Sequence, residues 1–251
     1  FVLLAAFGLS EFRDNPRVGP ILLIGLGAGL FAASKYTGLL FVAAAGLSLL
    51  SFSGRNWFKN GVIYGLAVLL AGSQWYGWNA YNTGDPVFPI LFTVLDLKGG
   101  AFWDADYAAS MKNYLALRQG QVEWWQRWLA YPVVATLSPP FAMEAGRVGL
   151  GPYFLMIAPF GLAGAWLHRR LIKASTLAPA ALAAILFYFI WLGFGGIPKV
   201  RHLIPIVPII LVCLAAGSAR AITAWSWLRR PVGLAMILSL AINAGAAGFF
   251  F

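Results

Sequence analysis

The sequence predicts an all-α, polytopic integral membrane protein with about seven complete transmembrane helices, one partial helix and an outer loop carrying interfacial helices. Three observations predict it. Hydrophobic residues make up 61% of the 251 positions and charged residues only 10%, where a soluble domain carries about 25% charged residues. The apolar residues come in runs of spanning length, for which about 17–25 positions suffice. The lysines and arginines fall in alternate loops between those runs, the pattern left when one side of a membrane collects them.

The elements follow in order. Phe1–Leu9 reads as the tail of a truncated span, because the chain opens inside an apolar run with neither an initiator Met nor a signal-peptide pattern. With Phe251 still apolar, the sequence reads as a fragment of a longer protein. Val18–Ser34 and Thr37–Phe52 form a pair joined by Lys35-Tyr36, and Gly61–Trp78 is the next span. Residues 79–149 form a long extracytoplasmic loop, and Pro152–Leu167, Thr176–Ile197, Leu203–Ile222 and Val232–Phe251 complete the set. Residues 1–251 therefore read as a single transmembrane domain.

Arg13, Arg17, Arg55, Lys59, Arg169, Arg170, Lys173, Arg220, Arg229 and Arg230 share one side, which the positive-inside rule assigns to the cytoplasm. Lys35, the 79–149 loop and the Lys199–His202 turn then lie outside. Six acidic residues fall there too: Asp85, Asp96, Asp104, Asp106, Glu123 and Glu144. Within the loop, Glu123–Leu129 puts Trp125, Trp128 and Leu129 at helical spacing, which suits a helix lying in the headgroup layer, and Tyr107–Trp128 is expected to lie along the outer membrane surface. Leu129–Ala142 is apolar but short and interrupted by Pro132, Pro139 and Pro140, so it reads as a re-entrant or interfacial segment.

Composition also excludes function classes. The net charge of +10 sits in short loops between spans, so it reports topology and not a nucleic-acid footprint. Cys213 is the single cysteine, which rules out an intrachain disulfide. His168 and His202 show no ligand spacing. Asp104 and Asp106 offer a candidate divalent-metal pair, short of the roughly six to eight oxygens a calcium ion takes. No other metal or cofactor is expected, and no P-loop or serine-nucleophile motif occurs.

Three clusters carry candidate chemistry, all on the outer side. Lys35 and Tyr36 stand at a joint between two short spans, where a lysine either presents its ammonium to a lipid phosphate or merely snorkels. Asn82 and Asp85 lie in Asn79-Ala80-Tyr81-Asn82-Thr83-Gly84-Asp85-Pro86-Val87-Phe88-Pro89, which is either a binding loop or a well-made turn. Lys199, Arg201 and His202 precede Leu203-Ile204-Pro205-Ile206-Val207-Pro208. Arginine holds phosphate through two parallel hydrogen bonds and lysine adds a mobile charge. Pro205 suits the first turn of the next helix, and Pro208 is expected to bend it.

Gly29–Gly38, Asn82–Pro89, Gly151–Pro159 and Arg201–Pro208, in this order and spacing, resemble the GT-C membrane glycosyltransferases. The similar branches are the dolichyl-phosphate-mannose–protein mannosyltransferase-like and aminoarabinose-transferase-like enzymes. The resemblance covers most of the chain and rests on the series of motifs. It implies a polyprenyl-phosphate-linked sugar donor and transfer to an unidentified acceptor (lipid, glycan or protein) on the outer face of a bacterial or archaeal plasma membrane. In that family the acidic catalytic residue lies in the first outer loop, so the resemblance places the general base outside this fragment and leaves Asp85 without that role. A transporter or lipid flippase, and a lipid-linked-glycan polymerase or ligase, are the alternatives.

Overall fold

All secondary structure among the described residues is helical. The computed structural model describes residues 1–94, 104–119, 124–137, 152–194 and 200–250. The helices are α1 Val2–Asp14, α2 Val18–Ser34, α3 Thr37–Phe52, α4 Trp57–Thr83, α5 Ile90–Val94, α6 Ala105–Gln119, α7 Trp124–Leu137, α8 Pro152–Leu167, α9 Arg169–Ala174, α10 Ala178–Phe194, α11 Val207–Ala224 and α12 Arg229–Phe250. Short 3-10 turns at Val200–His202 and Ile204–Ile206 lead into α11. The ends of α2, α3 and α8 match the spans read from the sequence residue for residue. The stretch Ile204–Ala224, 21 residues with mean hydropathy 2.0, is long and apolar enough to cross a membrane. The helices α2, α3, α8 and α10 are apolar but shorter.

Small residues face inward and large apolar ones face outward. On α4, Ala67 and Ala71 are buried while Leu66 and Leu70 are 57% and 81% exposed. The buried face lies against α2, where a Cβ added to Gly29 would fall 2.6 Å from the Val68 carbonyl oxygen. The α8–α11 pair is closer still. A Cβ at Gly164 would stand 1.8 Å from the Gly217 carbonyl oxygen, so only glycine permits this approach of the two backbones. The main core joins α1, α2, α3, α7, α10 and the start of α11, with Phe41, Phe187 and Trp191 fully buried. A second cluster centred on Ile157, Leu214 and Ala235 ties α8, α11 and α12 together.

Two ends of the bundle follow from these pairings. Helices α3 and α10 run antiparallel: Phe41 meets Phe187 with ring centroids 5.8 Å apart, and the Ser48 hydroxyl donates to the Pro179 carbonyl at 2.6 Å. At the second of these ends, the Arg13 guanidinium lies 5.0 Å over the Phe52 ring and donates to the Lys173 carbonyl at 3.3 Å. Helices α8 and α11 run parallel, so Arg169, Arg170, Arg220, Arg229 and Arg230 join that same end. The opposite end carries the Lys35-Tyr36 joint, the C-terminus of α4 and the Val200–His202 turn.

The structure adds detail to three expectations. Helix α7 continues through Pro132, with Tyr131 and Ala135 buried in the main core and Leu129 and Val133 exposed on its other face. Pro132 is tolerated because neighbouring helices supply the packing that offsets its lost backbone bond. Pro208 does not bend α11, because the helix begins at Val207 and Pro208 occupies its first turn. Pro205 accordingly sits in the preceding 3-10 turn. Helix α4 also runs beyond the span expected for it, reaching Thr83.

Candidate functional site

The site is assembled from the joint upward. Helix α2 ends because Lys35 is extended (φ −163°, ψ 138°), and the Tyr36 backbone then opens α3. Lys35 is exposed and Tyr36 half-buried. The Tyr36 hydroxyl donates to the Phe88 carbonyl and accepts from the Asn79 side-chain amide at 3.1 Å. The same amide reaches the Pro86 carbonyl at 3.4 Å, and the Tyr76 hydroxyl donates to the Ala32 carbonyl at 2.7 Å. The joint is thus tied to the end of α4 and to the loop beyond it. Burial pushes the Tyr36 phenol above its ordinary value. The Asn79 hydrogen bond opposes that shift, the Asp85 carboxylate adds to it, and the Trp75 hydrogen bond opposes it again.

The loop itself is built around Asp85. Gly84 ends α4 in the left-handed region (φ +79°), a conformation in which a side chain would be strained, and its N–H donates to the Ala80 carbonyl. Thr83 Oγ1 donates to the Asn79 carbonyl at 2.7 Å and accepts the Asp85 N–H at 3.2 Å. The Asp85 side chain, 1% exposed, accepts from Val87 N–H at 2.8 Å on one oxygen. Its other oxygen accepts from Leu91 N–H at 3.0 Å and Phe92 N–H at 3.4 Å, capping the start of α5. Of the two uses open to this motif, the geometry is that of a turn held shut by its own carboxylate. Asn82 is exposed and its amide donates to the Trp78 carbonyl at 2.8 Å.

The second cluster lies at the same end on a separate turn. Val200 is buried and anchors it; Arg201 is exposed; Lys199 lies outside the described residues. Trp191, near the end of α10, donates its indole N–H to His202 Nδ1 at 3.3 Å. That acceptor role leaves the proton of the neutral ring on Nε2. Tyr131 of α7 stacks edge-on against Trp191 with centroids 5.3 Å apart, so three elements fix the histidine. Sequence reasoning passed over Asn79, Tyr131 and Trp191; a polar or amphipathic side chain inside an otherwise apolar helix was the available signal for each.

Beside this turn begins a groove of about 400 Å³ between α8, α10 and α11. Its walls are apolar, including Phe154, Ile185, Tyr188, Leu203, Val207 and Cys213. Leu203 at its margin directly follows His202. Asp104, the first residue of the candidate metal pair, accepts the Tyr107 N–H at 2.8 Å and so caps α6, while Asp106 is exposed. Among the described residues no group of three or more His, Cys, Asp or Glu side chains gathers as a metal site would need. The expected acidic positions Asp96, Glu123 and Glu144 and the side chains of Trp125 and Trp128 lie outside the described residues. No protein-family model, curated protein or solved structure matches this chain.

Proposed function

We propose that this chain is the multi-pass membrane core of a GT-C type glycosyltransferase that uses a polyprenyl-phosphate-linked sugar and acts at the end bearing Lys35 and Arg201. The observation that carries the reading is the apolar groove whose margin, Leu203, adjoins the Arg201-His202 turn. A polyprenyl chain needs an apolar surface reached from the lipid, and its phosphate needs cations where that surface ends. The apolar exterior of α4, with Leu70 and Tyr81 81% and 88% exposed, supports the bilayer setting for seven spans. The collection of basic residues at the other end supports placing the site outside.

In the reaction, the bond between the anomeric carbon and the donor phosphate oxygen breaks, and a bond from the acceptor oxygen to that carbon forms. The acceptor proton goes to a carboxylate base, which is not assigned to any residue here. Polyprenyl phosphate departs with its negative charge stabilised by Arg201, Lys35 and Lys199. His202, held by Trp191 through Nδ1, lies at the same turn. A flippase would bind the same lipid without breaking this bond. A lipid-linked-glycan polymerase or ligase would share the donor chemistry and differ in the acceptor.

The test measures turnover and donor binding in the natural full-length protein for Arg201→Lys, Arg201→Ala and Lys35→Ala. Loss of a preorganised donor to the leaving phosphate should cost about 2–4 kcal/mol in the transition state. Arg201→Lys should still be impaired, because the two-pronged contact is lost while charge is kept. Near-normal turnover in all three well-expressed variants would remove the phosphate role. Donor binding without any bond cleavage would favour the flippase.

A further inference from the structure

We propose that the aromatic side chains of Tyr131, Tyr188 and Trp191 couple the apolar groove to the Arg201 turn, so that a prenyl chain filling the groove strengthens the grip of the turn on a phosphate. This coupling rests on the groove and phosphate reading above and adds to it a positioning role for Trp191. Two groove walls reach Trp191. Tyr188 lines the groove, and its ring centroid lies 6.5 Å from that of Trp191. Pro132 lines the groove too, and it directly follows Tyr131 on α7, whose ring meets Trp191 edge-on at 5.3 Å. Successive helix residues point about 100° apart, so α7 turns one of this pair to the groove and the other to the tryptophan. Trp191 itself is 1% exposed, and its indole N–H donates to His202 Nδ1 at 3.3 Å.

The far end of this chain of contacts is the cation. Arg201 and His202 share the 3-10 turn Val200–His202, and the next residue, Leu203, is buried and lines the groove. The turn therefore meets the groove directly through Leu203 and again through His202, Trp191 and the two tyrosines. An unfilled apolar groove leaves its wall atoms without dispersion partners on one side. A chain lying in it supplies those partners and holds Tyr188 and α7 against the indole. Arg201 is exposed, so the direction of its guanidinium follows the seating of the turn. A two-pronged contact to phosphate demands that direction. The chain thus favours the arrangement in which the turn is seated, and by linkage a bound phosphate tightens the chain in return.

The test measures how strongly the natural full-length protein prefers a prenyl phosphate to the matching alcohol, for a long chain (farnesyl) and a short one (dimethylallyl). Affinities come from displacement of radiolabelled farnesyl phosphate. In wild type the preference for phosphate should be at least about fivefold greater with the farnesyl chain. Trp191→Phe keeps a buried ring and deletes the N–H donor. It should bring the farnesyl preference down to the dimethylallyl level while farnesol binds as before. Tyr131→Leu, which removes the ring behind the indole, should do the same. An unchanged preference in both variants, or parallel loss of farnesol and farnesyl phosphate binding in both, would make the cluster mere scaffold and overturn the coupling. An equal preference at both chain lengths in wild type would also overturn it and leave the phosphate site standing. No preference for phosphate at either length would remove that site and the coupling with it.

Discussion

Replacing Asp85 separates a residue that holds the loop after α4 from one that handles substrate. In Asp85→Ala, the N–H groups of Val87, Leu91 and Phe92 lose their shared acceptor. The bonds at 2.8 and 3.0 Å are good ones, and the one at 3.4 Å is marginal. Hydrogen bonds to a charged acceptor contribute about 1.5–3 kcal/mol each, so the two good ones set a ceiling of about 3–6 kcal/mol. The loop can instead open and let water satisfy the amides. The loss should therefore surface as local opening of residues 85–94 with a smaller fall in global stability. Asp85→Asn keeps one acceptor oxygen but turns an NH2 group toward amide donors, so it should recover at most half the effect. The assay pairs thermal unfolding in detergent with limited proteolysis of this loop. Wild-type protection and stability in Asp85→Ala would refute the turn reading. Abolished turnover in Asp85→Asn with full loop protection would return the residue to the substrate.

Three further outcomes are expected. Gly164→Ala places a methyl group against the Gly217 carbonyl and should destabilise the protein by about 1–3 kcal/mol, whereas Gly77→Ala, with open space around it, should be neutral or slightly stabilising; thermal denaturation of both compares them directly. The Tyr36 phenol is raised from its ordinary value of 10.0, so its neutral form is the one the fold favours, and its contribution is complete below about pH 10 and lost as pH rises above it. Tyr36→Phe should flatten the alkaline limb of the stability profile, and an unchanged limb would show that Tyr36 does not set it. Cysteines at positions 59 and 201 should react with impermeant reagents from opposite sides of sealed vesicles; reaction from one side would defeat the assigned topology.

Hydropathy made the short apolar helices legible because residues that end a helix or an apolar run mark their limits: Lys35 closes α2 and Pro152 opens α8. It failed where helix and apolar run part company. Helix α4 outlasts its apolar stretch by several residues, since backbone hydrogen bonding continues through Asn79 and Thr83 until Gly84 turns the chain. Pro132 suggested a break in α7, but burial of Tyr131 against Trp191 decides that segment, and tertiary contact is invisible to local propensity. The turn at Asp85 was legible from Asn82, Gly84 and Pro86, whereas the bonds that tie its loop and Asn79 to the Tyr36 joint reach across the sequence and were not. Trp191 reads as one more apolar residue of its helix, and only the approach of the Val200–His202 turn gives its indole N–H a function.

The two clusters at the Lys35 end should therefore fail in different ways. Tyr36, Asn79, Thr83 and Asp85 satisfy one another through the hydrogen bonds of the joint and the loop, so their polar atoms hold shape. Arg201 stands exposed on a turn fixed by buried Val200 beneath it and by the Trp191–His202 bond beside it. A cation held this way can meet a phosphate without reorganising the scaffold, which is the condition for an electrostatic contribution to turnover. Removing a member of the first cluster should lower stability and activity together. Removing the Arg201 guanidinium should lower turnover while the melting temperature stays put. If Arg201→Ala instead melts early, the residue belongs to the scaffold and the phosphate must be held elsewhere.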